Sequence, residues 1–129
     1  MTAKTGSDFV LLDSSAWLEY LTEDTKADAV EPYLRGARPL LVPAIVIYEV
    51  YKKLSQLRGK SGAERFLSHA LRHTVVVFDE HLALAAADAS LTHRLAMADA
   101  IIFATALFHG AELVTSDQAF QGLPGVTLL

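Results

Sequence analysis

Short apolar runs without polar alternation recur at residues 9–12, 40–42, 75–78 and 113–115, with a weaker one at 126–128. Runs of this length that do not alternate predict strands covered on both faces, as in a parallel sheet. Between them the apolar period lengthens to that of helices. The pattern predicts helices over about 15–21, 26–34, 44–57, a further segment to about 71, 81–91 and 98–108. Pro32 weakens the later half of the second helix. Gly59 and Gly62 mark the end of the long amphipathic stretch, and Gly110 suits the position just past a helix, where glycine turns left-handed without a Cβ penalty. Strands alternating with helices predict an α/β fold. The expected architecture has three layers, α/β/α, around a central, mainly parallel sheet of four to five strands, in one domain over 1–129.

Open sheets of this kind bind ligands outside the carboxyl ends of their strands, so the residues just after each strand carry the most information. Asp13 directly follows the first run, and Asp117 follows Leu113-Val-Thr-Ser. Both fall on the same rim of the sheet. Each could instead cap a helix or turn, a role worth about 1 kcal/mol. Two further acids sit in apolar company. Asp99 lies within AMADAIIFATAL, where a carboxylate on a buried helix costs several kcal/mol unless it finds a cation. Arg94 is five residues away, a poor helical spacing for a pair. The helix dipole could also favour an acid in a first turn. Glu49 lies within AIVIYEVYKK, with Lys53 at i,i+4 as an ordinary surface partner.

Composition narrows the chemistry. The chain has 129 residues, 52% hydrophobic and 20% charged, and no cysteine. Disordered, disulfide-stapled, zinc-finger, iron–sulfur and thiol-nucleophile classes are excluded. The polar residues 1–7 and the short run after them do not resemble a signal peptide, and no apolar run approaches the ~20 residues of a membrane span. A soluble, cytoplasmic chain with no membrane association is expected. The net charge is −4, yet its distribution is uneven. Residues 35–65 hold seven basic and two acidic residues, a net of +5; the remainder holds four basic and thirteen acidic, a net of −9. Within the basic arm, Lys52, Lys53, Arg58 and Lys60 are candidates for contact with a phosphate backbone, with a solvated helix face as the alternative. If Asp13, Glu49, Asp99 and Asp117 converge, their repulsion calls for a divalent cation, and a purely oxygen donor set suits Mg²⁺ or Mn²⁺. Carboxylate-held ions of this kind serve phosphoryl chemistry.

The segments VLLDSSAWL (10–18), PAIVIYEV (43–50), ADAIIFATAL (98–107) and LVTSD (113–117) together resemble PIN-domain ribonucleases, specifically VapC-type toxins of toxin–antitoxin pairs. Each segment is weak alone; the four in order cover essentially the whole chain. The resemblance implies a PIN-like fold and an endoribonuclease acting through a metal-activated water, leaving a 3′-hydroxyl and a 5′-phosphate. It implies that Asp13, Glu49 and Asp99 bind the ion and that Asp117 completes the site or holds a second one. Ser15 would donate to the first acid and Thr115 would orient the last. A homodimer and a cognate antitoxin that inserts a segment into the acidic groove are further implications. Dimerisation is expected to use the helices between residues 44 and about 71. Two serines follow Asp13 where Thr-Ser is more usual, which keeps a hydroxyl in place.

Three other functions fit less well. A receiver-type phosphoacceptor domain needs an acidic pair near the first strand and a lysine after the last, and no lysine follows Lys60. A haloacid-dehalogenase-like phosphatase needs a second Asp where Ser15 stands. A catalytically silent PIN-like module binding RNA or protein would be expected to have lost at least one acid. His69 and His73 are spaced to share a metal but have no third ligand near in sequence. Trp17 reads as core or pocket wall, with base stacking as its alternative.

Overall fold

The computed structural model describes residues 8–129; the polar stretch 1–7 lies outside them. Five strands form one sheet: β1 (Val10–Leu12), β2 (Leu40–Pro43), β3 (Thr74–Val76), β4 (Glu112–Thr115) and β5 (Val126–Leu128). Their spatial order is β3-β2-β1-β4-β5, and every neighbouring pair is parallel. β1 and β2 are buried at every residue, and β4 at all but its first, which is why their sequences are apolar without alternation. The edge strands β3 and β5 are only partly covered. Residues 75–78 read as a strand, but pairing stops at Val76, which stands opposite Pro43, the last residue of β2. With no partner backbone beyond it, the chain leaves the sheet and Val77 and Phe78 are exposed.

Five helices accompany the strands: α1 (Ser14–Leu21), α2 (Ala27–Arg35), α3 (Ala44–Ala70), α4 (Glu80–His93) and α5 (Met97–His109). The two expected helices over 44–71 form one span broken at Gly59, whose φ of 75° and ψ of 177° are not helical. Few residues other than glycine adopt that conformation readily. α4 starts earlier than its apolar pattern, because Asp79 caps it by accepting the Leu82 N–H at 3.0 Å. α5 is buried continuously from Ala100 to Ala106 and ends at the left-handed Gly110. Among the described residues, no single helix is long and apolar enough to cross a membrane.

The chain order dictates where a ligand belongs. From β1 the chain moves outward to β2 and β3, then returns through α4 and α5 to place β4 on the other side of β1. The β1/β4 boundary is therefore the topological switch point, and a crevice opens above the carboxyl ends of strands at such a boundary. Asp13 immediately follows β1, and Asp117 lies two residues after β4.

Candidate active site

Asp13 is 3% exposed and fully engaged by hydrogen-bond donors. Its Oδ1 accepts the Ala16 N–H at 2.9 Å and the Ser15 hydroxyl at 2.6 Å, while Oδ2 accepts the Thr115 hydroxyl at 2.6 Å. The first bond is a helix cap for α1, so capping and site membership are not alternatives here. Thr115 is the last residue of β4, and its Oγ1 also accepts the Asp117 backbone N–H at 2.9 Å. The Ser15 Oγ accepts the Ser116 N–H at 3.0 Å. Together these bonds tie the start of α1 to the end of β4 across the switch point.

The other three acids are half-buried around this anchor. Glu49, on the first half of α3, accepts the Ser14 hydroxyl at 2.5 Å. It makes no ion pair with Lys53 among the described residues. Asp117 caps a short turn through the Ala119 N–H at 2.9 Å. Asp99 stands in the first turn of α5. Arg94, the left-handed residue ending α4, does not ion-pair with it. Burial, then the negative charges of Asp117, Asp13 and Glu49, push the Asp99 carboxyl up from an ordinary 3.8 to about 6. Burial also raises Asp13 against its three hydrogen bonds, with the Asp117 charge adding to the rise. The four acids thus act on one another electrostatically, and no Lys or Arg among the described residues neutralises them. They are not closed into a ligand cage: no three His, Asp or Glu side chains among the described residues stand as a metal-holding group. Glu49 and Asp117 are each engaged by a hydrogen bond of their own, from the Ser14 hydroxyl and the Ala119 amide.

The PIN domain profile matches residues 10–126. The chain belongs to the PIN-domain family. Solved structures share the fold. A toxin–antitoxin complex from Klebsiella pneumoniae superposes with a TM-score of 0.76 at 24% identity, over 92% of this chain and 95% of that one. VapBC2 from Rickettsia felis, bound to a DNA fragment of its promoter, gives 0.72 at 16% identity over 94% and 97%. VapC20 of Mycobacterium tuberculosis, a toxin cleaving the sarcin–ricin loop, gives 0.71 at 16% over 89% and 95%. No curated protein matches the chain by sequence.

The basic residues of this PIN domain have separate surroundings. Lys53 lines a cavity beside Ser15 and Ser116. Lys52 lies over the Tyr48 ring, 5.6 Å from its centre. Arg58 donates to the Leu21 carbonyl at 3.3 Å, at the end of α1. Lys60 is exposed beyond the break at Gly59. Trp17 is fully buried edge-on to Phe66, with ring centres 5.3 Å apart, so it is core and cannot stack on a base. The role of Ser14 escaped the sequence reading: its hydroxyl meets Glu49 across 35 residues of sequence. The serine pair after Asp13 was the available signal, each hydroxyl serving a different acid. Thr115, expected to orient the last acid, touches Asp117 only through its backbone and gives its proton to Asp13.

Proposed function

We propose that this PIN domain is a metal-dependent endoribonuclease, the toxin partner of a toxin–antitoxin pair. One observation carries the reading: Asp117, Asp13 and Glu49 act on Asp99 at the switch point, and burial together with their charges raises it to about 6. Such a cluster disfavours folding unless a function requires it. Oxygen-only donors fit Mg²⁺ or Mn²⁺, and Asp13, Glu49, Asp99 and Asp117 are the side chains that would hold the ion. Once bound, the ion supplies a water of lowered pKa and stabilises charge on the attacked phosphate. The chain contributes position. Thr115 and Ser15 fix both oxygens of Asp13, and Ser14 holds Glu49 in reserve on the same rim. In the absence of a cation these charges repel a phosphodiester. Lys53, which lines a cavity with Ser15 and Ser116, offers the RNA backbone a positive charge.

The toxin assignment is supported by the likeness to the Klebsiella toxin–antitoxin complex and to the sarcin–ricin-loop-cleaving toxin of Mycobacterium tuberculosis. On this reading an antitoxin occludes the acidic groove and the protein is a homodimer. Large exposed apolar side chains are sparse on α3 and denser around α4 and α5, where Phe78, Leu84, Leu91 and Met97 lie open. We therefore place the dimer contact there, in preference to residues 44–71.

Purified protein should cut single-stranded RNA in Mg²⁺ or Mn²⁺ and stop in EDTA. Asp13→Asn should lower the rate by about a thousandfold or more while circular dichroism stays unchanged, because one ligand and its charge are lost together. Equal cutting by the parent and the Asn variant would remove the metal-site reading.

A further inference from the structure

We infer that the cavity between α1 and α3 is a nucleobase subsite that selects guanine next to the scissile phosphate. The inference rests on the ribonuclease reading and adds to it a substrate preference and the residue that sets it. The cavity has a volume of about 320 Å³, near the lower end of small-molecule sites and on the scale of one nucleotide. Ser15 and Ser116 form the wall it shares with the acids, since the Ser15 hydroxyl is 2.6 Å from Asp13 and 3.0 Å from the Ser116 amide. A group seated in it is therefore adjacent to the reacting centre.

Its other walls differ in character. Leu18 comes from α1 and Leu57 from α3, and Leu57 is 56% exposed, a large apolar surface with little cover. Two apolar walls suit the flat faces of a base. Lys53 brings one positive charge to the cavity, placed for a phosphate. Asp24 brings one carboxylate, occupied within its own turn by the Thr25 N–H at 2.8 Å, and Glu19 brings a second. Its Oε1 accepts the Lys26 N–H at 3.3 Å, a bond that steadies the side chain at the end of the α1–α2 turn. Among the described residues nothing else pairs with it.

The carboxylate decides which base fits. An ionised carboxylate only accepts hydrogen bonds. The Watson–Crick edge of guanine presents two adjacent donors, N1–H and the N2 amine, which a carboxylate can accept side by side. Uracil presents a single N–H between two carbonyl oxygens, which face the carboxylate with like partial charge. Cytosine and adenine each present one amine beside a bare ring nitrogen. A bidentate pair of this kind discriminates between bases by roughly five- to a hundredfold.

The test uses the full chain with Mn²⁺ and a set of short RNAs differing at the nucleotides flanking one cleavable bond, with inosine among them. Cutting should be fastest with guanine at one flanking position, intermediate with inosine, which lacks the N2 amine, and slowest with uracil. Glu19→Gln keeps an oxygen for the Lys26 N–H and should fold normally; it should reduce the guanine preference on the order of tenfold. Lys53→Ala should raise KM for every RNA and leave the preference ratio unchanged. If the parent cuts all flanks equally, or if Glu19→Gln retains the preference, the subsite is wrong while the ribonuclease reading stands. If Glu19→Gln leaves RNA cutting unchanged and weakens antitoxin binding, the cavity receives a basic side chain of that protein, and the guanine assignment falls. If no RNA is cut with any metal, both readings fall together.

Discussion

The two ends of the β4 strand carry acids in opposite circumstances. At its amino end, Glu112 meets Arg38 at 2.8 Å and accepts the Thr127 hydroxyl at 2.6 Å. Burial pushes its carboxyl up, but those hydrogen bonds and the Arg38 charge outweigh burial and hold it below the usual range. Beyond the carboxyl end, burial and the charges of Asp117, Asp13 and Glu49 raise Asp99 to about 6. The same chemical group shifts in opposite directions around the two ends of one strand. The fold neutralises the charge that only holds the sheet edge together and leaves uncompensated the charge that something outside the chain must neutralise. A carboxylate's neighbours, rather than its burial, separate the two roles.

The contrast breaks most strongly at Thr115. Its hydroxyl is the donor to Asp13 Oδ2 and is itself fully buried. Thr115→Val keeps the shape and removes that donor. A buried carboxylate oxygen is then left unpaired, at a cost of about 1–3 kcal/mol in stability. Loss of an orienting partner behind a metal ligand should lower cutting about 10- to 100-fold. Thr115→Ser restores the hydroxyl and should recover most of the activity. A valine variant as active as the parent would show that Asp13 needs no such support.

Much of this arrangement was readable in the amino acids. Unalternating runs at 10–12 and 113–115 locate β1 and β4, and the acids just after them lie on one rim by the geometry of parallel strands alone. Asp99 announced itself by its apolar surroundings. The hydroxyl web was only partly legible. Hydrogen bonds from Ser14 to Glu49 and from Thr115 to Asp13 span 35 and 102 residues, and nothing local distinguishes those hydroxyls from ordinary caps. The local partners of the basic segment were equally hidden. Its charges cluster in sequence, but the break at Gly59 and the separate partners of Lys52 and Arg58 do not follow from that clustering. Strand ends follow partners rather than propensity, as the early end of β3 shows.

A smaller effect sharpens the contrast through pH. Without metal, Asp99 holds its proton more tightly in the folded chain than in the unfolded one, because its carboxyl rises from 3.8 to about 6. Between those values the native state binds more protons, so stability falls as pH rises through the interval and stays lower above it. The rise corresponds to at most about 3 kcal/mol. Solvent screening at a half-buried group reduces this to about 1 kcal/mol. Asp99→Asn should therefore be about 1 kcal/mol more stable than the parent at pH 7 in EDTA, and inactive. Adding Mg²⁺ should raise the parent's Tm and move the variant's much less. Thermal melts at pH 4.5 and 7, with and without metal, measure all three expectations. A variant less stable than the parent at pH 7 would mean that Asp99 is compensated within the fold after all.

The smallest effect belongs to the opposite end of the strand. Glu112 is held below its ordinary 4.5, so its contribution to stability is present above that value and is lost as pH falls through the lowered folded value. Because the pair with Arg38 is partly exposed, Glu112→Gln should cost only a few tenths of a kcal/mol at pH 7. RNA cutting should be unchanged, since the substitution lies across the sheet from the four acids. Its melt should also lose sensitivity to Mg²⁺ no more than the parent's does. The pH dependence separates the two ends further: going from pH 7 to 4.5 relieves the parent of repulsion at Asp99 while leaving the Glu112 pair almost intact. A Glu112→Gln variant that lost activity as Asp13→Asn does would mean that the two ends are coupled through β4, and that charge compensation does not separate structural from functional acids in this fold.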